Sequence, residues 1–117
     1  MIQIGNFITK TLMFQSETIK DVLLADTFAG RFKGYMFRKK PHYKAIIIEP
    51  CNSIHTLFMK FAIDVLFINK NMEIVKKIEG LEPGKIIMPV KGARMVIEGR
   101  AGLFKSFEVG SKITISI

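Results

Sequence analysis

Ile63–Glu79 reads IDVLFINKNMEIVKKIE. Its first half is apolar apart from Asp64 and rich in β-branched and aromatic types, which predicts a strand over Ile63–Ile68. Asn69-Lys70-Asn71 supplies a tight turn. Met72–Glu79 then returns as the partner strand, making the clearest hairpin in the chain.

Working outward, the same pattern recurs. Ala45–Glu49 is a continuous apolar run, hence a buried strand, and Pro50-Cys51-Asn52-Ser53 is a loop. Ile54–Met59, Ile86–Met88, Ala93–Glu98 and Lys112–Ile117 are further strands, separated by turns at Gly80, Pro83-Gly84 and Pro89–Gly92. Toward the start, Ser16–Ala25 is a strand, and Met1–Phe14 is expected to form a short hairpin about Gly5-Asn6. Thr27–Phe37 breaks the pattern. Phe28, Phe32, Tyr35 and Met36 stand at helical spacing behind the capping pair Asp26-Thr27, and Lys39-Lys40-Pro41 ends the run. Gly34 inside that helix would cost about 1 kcal/mol against Ala, a sign of close packing or of a bound group. Arg100–Phe107 reads as a short helical turn. The expected fold is therefore mainly β: a compact sandwich or barrel-like domain with one packed α-helix, about 27–37, and a helical turn, about 100–107.

The chain has 117 residues, 49% of them apolar, which suits a single domain over 1–117 with a real core. One Cys excludes an internal disulfide and a Cys-rich zinc module. MIQIGNFITK lacks a basic region followed by a long apolar run, and no apolar run approaches a membrane span, so a cytoplasmic protein is expected. Net charge is +8, and Thr27–Ile48 holds no acid while carrying Arg31, Lys33, Arg38, Lys39, Lys40 and Lys44. These are mostly lysines without a stacking platform or a recognised nucleic-acid motif, so they read as a solvated basic face rather than a nucleic-acid site.

Chemistry concentrates in two segments, Arg31–Arg38 (RFKGYMFR) and Cys51–Ile68, expected to face each other across one pocket. Cys51 and His55 lie four residues apart, ~13 Å along a strand or ~6 Å on a helical turn. No third ligand stands at a motif spacing, Asp64 being the nearest candidate, so no metal and no cofactor is expected. Cys51 as nucleophile, His55 as base and Asp64 as orienter is one enzymatic reading, though no nucleophile elbow surrounds Cys51. Asp64, set among apolar residues, is either solvent-facing or buried with a partner. Arg31 and Arg38 could clamp it or reach a ligand. Glu98 before Gly99 is expected to bond the following turn, and Met36, Met59, Met88 and Met95 to fill the core.

These residues resemble the family named domain of unknown function 192. R-x-x-G-x-M-x-R stands as Arg31, Gly34, Met36 and Arg38, and C-x-S-I-H-T-x-x-M as Cys51, Ser53, Ile54, His55, Thr56 and Met59. Ile63-Asp64 before Phe67-Ile68, then Val96, Glu98, Gly102 and Gly110, complete the match over about residues 20–117. Tyr35, Ala62, Arg100 and Ser111 depart from the commonest residues. The resemblance implies a sandwich-like domain with a helix carrying the Arg motif, and Gly34, Met36, Met59 and Glu98 as structural motif residues. It supplies no activity; relatives encoded near secretion or pilus genes point to an accessory role there. From the residues, the leading expectation is a non-catalytic binding domain for a small anionic or hydroxyl-rich, sugar-like ligand. Arg31, Arg38, His55, Thr56 and Asp64 would line its site. A Cys/His hydrolase or transferase, and a component that docks on a protein partner, are the alternatives.

Overall fold

In the computed structural model the described residues are 9–26 and 34–116. The predicted central hairpin is there. β5 (Ile63–Asn69) pairs antiparallel with β6 (Ile74–Leu81), and on its other side with β8 (Ala93–Arg100). β8 pairs with β3 (Ala45–Ile48), which lies parallel to β2 (Glu17–Ala25). β1 (Thr9–Phe14) and β9 (Thr114–Ser116) complete one seven-stranded sheet of order β6-β5-β8-β3-β2-β1-β9. β4 (Ile54–His55) and β7 (Ile86–Ile87) form a separate two-stranded ribbon.

The sheet curls toward a half-barrel because its ends are tied. Ile74 N donates to the Ser111 carbonyl at 2.9 Å and Gly110 N to the Ile74 carbonyl at 2.7 Å, joining β6 to the approach of β9. The architecture is thus mainly β, as expected, but built on one curled sheet rather than two packed ones.

Both faces are apolar, which explains the unbroken runs in β3 and β5. Leu66, Ile68, Ile47, Met95 and Ile97 look into one core with Phe14, Phe104 and Phe107. Val65, Phe67, Ile46, Ile48 and Val96 look into a second with Tyr35, Ile54 and Met59. The radius of gyration, 13.1 Å, is that of a compact chain of this length.

Three expectations are corrected. Among the described residues there is no helix. Gly34–Phe37 is a tight turn, with φ of +45° at Gly34 and +64° at Phe37, values that a right-handed helix excludes. The spacing of Tyr35 and Met36 serves that turn, and both side chains are buried; 27–33, with Arg31, lie outside the described residues. Over 100–107 the chain makes successive four-residue turns, Leu103 N donating to the Arg100 carbonyl and Phe107 N to that of Phe104. Gly102, at φ +91°, keeps them from propagating as a helix. The strand expected over Ile54–Met59 stops at His55, and Phe58 has φ +62°. Gly5-Asn6 lie outside the described residues, and the N-terminal hairpin present is β1–β2, turning at Gln15-Ser16.

Candidate functional site

Strand alternation separates the two buried carboxyl groups. Asp64 lies opposite Gly99, while the next residue, Val65, lies opposite Glu98. Directly opposed residues share a face, so Asp64 and Glu98 point to opposite sides of the sheet.

Asp64, 1% exposed, looks into the first core under the 100–107 turns. Its Oδ1 accepts from Gly80 N at 2.9 Å, and its Oδ2 from Gly102 N at 3.0 Å and Phe104 N at 3.3 Å. Three backbone donors fill the role foreseen for a guanidinium, while Arg38 is exposed to solvent. Gly99 beside it has no room for a side chain: a Cβ there would stand 2.6 Å from Leu103 Cδ2. Lys77 Nζ completes the clamp, donating to the carbonyls of Phe104, Lys105 and Phe107 at 3.3, 3.3 and 2.7 Å.

Glu98, 2% exposed, looks the other way, among Ile46, Val65 and Tyr35. Among the described residues its Oε1 has no hydrogen-bond partner. Burial pushes its carboxyl up to about 8, so it carries its proton at neutral pH. A Cβ on Gly34 would come within 3.1 Å of that oxygen, so the turn lies directly on the carboxyl. Tyr35, fully buried, donates from its hydroxyl to the Tyr43 carbonyl at 3.0 Å. Burial first, and the Glu98 charge second, raise the Tyr35 hydroxyl well above its ordinary range. The turn expected to receive bonds from Glu98 receives them from Asp64 instead.

The other sequence candidates lie on the 51–56 stretch. Thr56 is fully buried and works as a hub. Its hydroxyl donates to the Glu82 carbonyl at 2.7 Å and accepts from Lys85 N at 2.8 Å, fixing the 82–85 loop on the ribbon. His55 is half-buried, and its Nδ1 accepts from Leu57 N at 3.1 Å. Cys51 donates its thiol hydrogen to the Ser53 carbonyl at 2.9 Å. With Pro50, Asn52, Ala93 and Arg94 it lines an open groove of about 290 Å³, which His55, Thr56 and Asp64 do not line. Among the described residues no three His, Cys, Asp or Glu side chains converge as a metal-binding group.

Sequence reasoning missed the outer surface. Phe37 and Phe58, 61% and 64% exposed, stack at 5.3 Å between ring centroids. Phe37 N donates to the Phe58 carbonyl at 3.0 Å, and both residues have positive φ. Ile86 and Met88 are also exposed, so Met88 is not core, whereas Met36, Met59 and Met95 are. The motif residue Gly34 thus lies against Glu98 and Met36 is buried, while Arg38 follows the exposed Phe37.

Among the described residues no helix is long and apolar enough to cross a membrane. A Pyrococcus furiosus protein of the uncharacterised family UPF0127 is 40% identical over 100 residues, covering 80% of this chain and 84% of its own. A Pyrococcus horikoshii member is 39% identical over 112 residues, covering 90% and 92%. Two crystal structures share the fold. A protein of unknown function from Novosphingobium aromaticivorans has a TM-score of 0.75 at 20% identity, covering 92% of this chain and 84% of its own. A proposed transcription regulator from Sinorhizobium meliloti has 0.76 at 19%, covering 97% of each chain. At such identities these likenesses concern the fold alone. The model of domain of unknown function 192, described as an uncharacterised ACR family, matches residues 10–116, and the chain belongs to that family.

Proposed function

We propose that the chain is a small non-catalytic binding domain for an anionic or hydroxyl-rich ligand. It would work through the surface formed by the 34–38 turn and the 55–58 loop. The observation that carries this reading is how the polar candidates divide. The Asp64 carboxylate, the Thr56 hydroxyl, the His55 Nδ1 and the Cys51 thiol are each engaged with backbone groups of the fold. Arg38, by contrast, is exposed and follows Phe37, whose ring stacks on Phe58. A guanidinium next to an aromatic platform suits a carboxylate, a phosphate or a sugar face.

Calorimetric titration of the protein and its Arg38→Gln variant with inorganic phosphate, glycerol phosphate and glucose tests the reading. Saturable binding that the variant loses, at an unchanged melting temperature, supports it; no binding to any of the three contradicts it. Rapid, pH-dependent alkylation of Cys51 that disappears in His55→Ala would transfer the case to a Cys/His hydrolase or transferase. Co-purification of a stable protein partner would favour the docking role at a secretion or pilus apparatus.

A further inference from the structure

We propose that Phe37, Phe58, Ile86 and Met88 form a docking surface for the anionic face of a lipid bilayer. This deepens the binding reading and rests on it, because Arg38 serves both.

Among the described residues five large apolar side chains stand 60% or more exposed, and four of them are these, at 61%, 64%, 65% and 73%. They ride on three segments stitched together by hydrogen bonds. Phe37 N reaches the Phe58 carbonyl, Thr56 N reaches the Lys85 carbonyl at 2.8 Å, and His55 pairs with Ile86 across the ribbon. Exposure here is built in. Phe37 and Phe58 both sit at positive φ, a region bulky residues rarely enter, and that conformation holds their rings stacked in water. Ile87, between Ile86 and Met88, packs against the second core, so strand alternation turns its two neighbours outward.

Charge selects the occupant. Arg38, Lys39 and Lys40 follow Phe37 directly, Lys60 follows the Phe58 loop, and Lys85 precedes Ile86, all exposed; Glu82 is the acid on the same loops. A second copy of a chain carrying +8 would bring two basic rims together. The four apolar side chains stand on turn tips and a two-residue ribbon rather than in the 290 Å³ groove, whose lining includes none of them. Exposed apolar side chains flanked along the chain by exposed basic residues match a bilayer interface. There apolar groups enter the headgroup region and lysines meet anionic lipid, with no shape complementarity required.

The test is flotation of the full-length protein with phosphatidylcholine vesicles, with and without phosphatidylglycerol. Parallel titrations use soluble glycerol phosphate. The variant pair is Phe37→Asn with Phe58→Asn, because Asn tolerates positive φ and so spares the turns. Thermal melting confirms that it folds. The expected result is flotation with anionic vesicles alone, lost in high salt, and weakened about tenfold or more in the Asn pair. Equal flotation of the pair and the parent overturns the proposal. So does a dimer in sedimentation velocity that the Asn pair dissolves. Binding of glycerol phosphate without flotation overturns the bilayer partner and leaves the binding reading standing. Neither flotation nor glycerol phosphate binding contradicts both.

Discussion

Asp64 and Glu98 lie on neighbouring strands, one residue out of step, and their surroundings are opposite. Asp64 is buried with three backbone N–H groups converging on its carboxyl, tying Gly80 of β6 and the 100–107 turns to the centre of the sheet. Glu98 is buried as deeply, its Oε1 without a hydrogen-bond partner among the described residues, and burial keeps its proton on. One face of the sheet is therefore closed by its own polar bonds. The other leaves a buried acid under the 34–37 turn and an apolar, basic surface above it. Buried polarity alone does not locate function; the way in which it is satisfied does.

The comparison can be broken at several points. Removing the satisfied carboxylate should cost most. Asp64→Ala strands three amides, that of Phe104 fully buried, and should lose about 3 kcal/mol of unfolding free energy in urea titration. A loss under about 1 kcal/mol would mean that the clamp is not what holds the turns.

Glu98→Gln should do the reverse, and pH should reveal it. The folded carboxyl titrates near 8 and the unfolded one near 4.5. Between those values the unfolded chain has released a proton that the folded chain keeps, so the parent loses stability as pH rises through the window. The variant lacks this proton. Its stability relative to the parent should climb by on the order of 1 kcal/mol per pH unit across that range, and should be level with it below the window.

Gly34→Ala places a methyl 3.1 Å from Glu98 Oε1 at φ +45°, and about 1 kcal/mol should be lost in the same assay. The Phe37→Asn, Phe58→Asn pair should change stability least, by about 0.5 kcal/mol or less, since its rings are mostly in water. A large loss there would turn the outer surface into part of the core.

The sequence disclosed the fold best where one residue type dominated a run. Ile63–Asn69 and Ala45–Ile48 could be little else than strands, and the hairpin at Asn69–Asn71 followed from its turn residues. Asp64 was visible as a buried charge needing partners, but backbone donors leave no mark in a sequence, and arginines seemed the natural candidates. The helix expected over 27–37 failed at Gly34 and Phe37 because helical spacing of apolar residues says nothing about the sign of φ. The same blindness hid Phe37 and Phe58. Their exposure depends on turns that only the assembled ribbon and the 82–85 loop define. Asp64 holds the turn that Glu98 was expected to bond because a single step of strand register decides which face each one meets.

The central claim is that these two acids serve opposite ends. The most direct measurement compares Asp64→Asn and Glu98→Gln, both nearly isosteric, by urea unfolding at a pH just above 8. Opposite signs are expected: Asp64→Asn loses stability, because an amide turns donors toward donors, and Glu98→Gln gains it. Losses of similar size in both would contradict the account, placing Glu98 in a bonded structural role like that of Asp64.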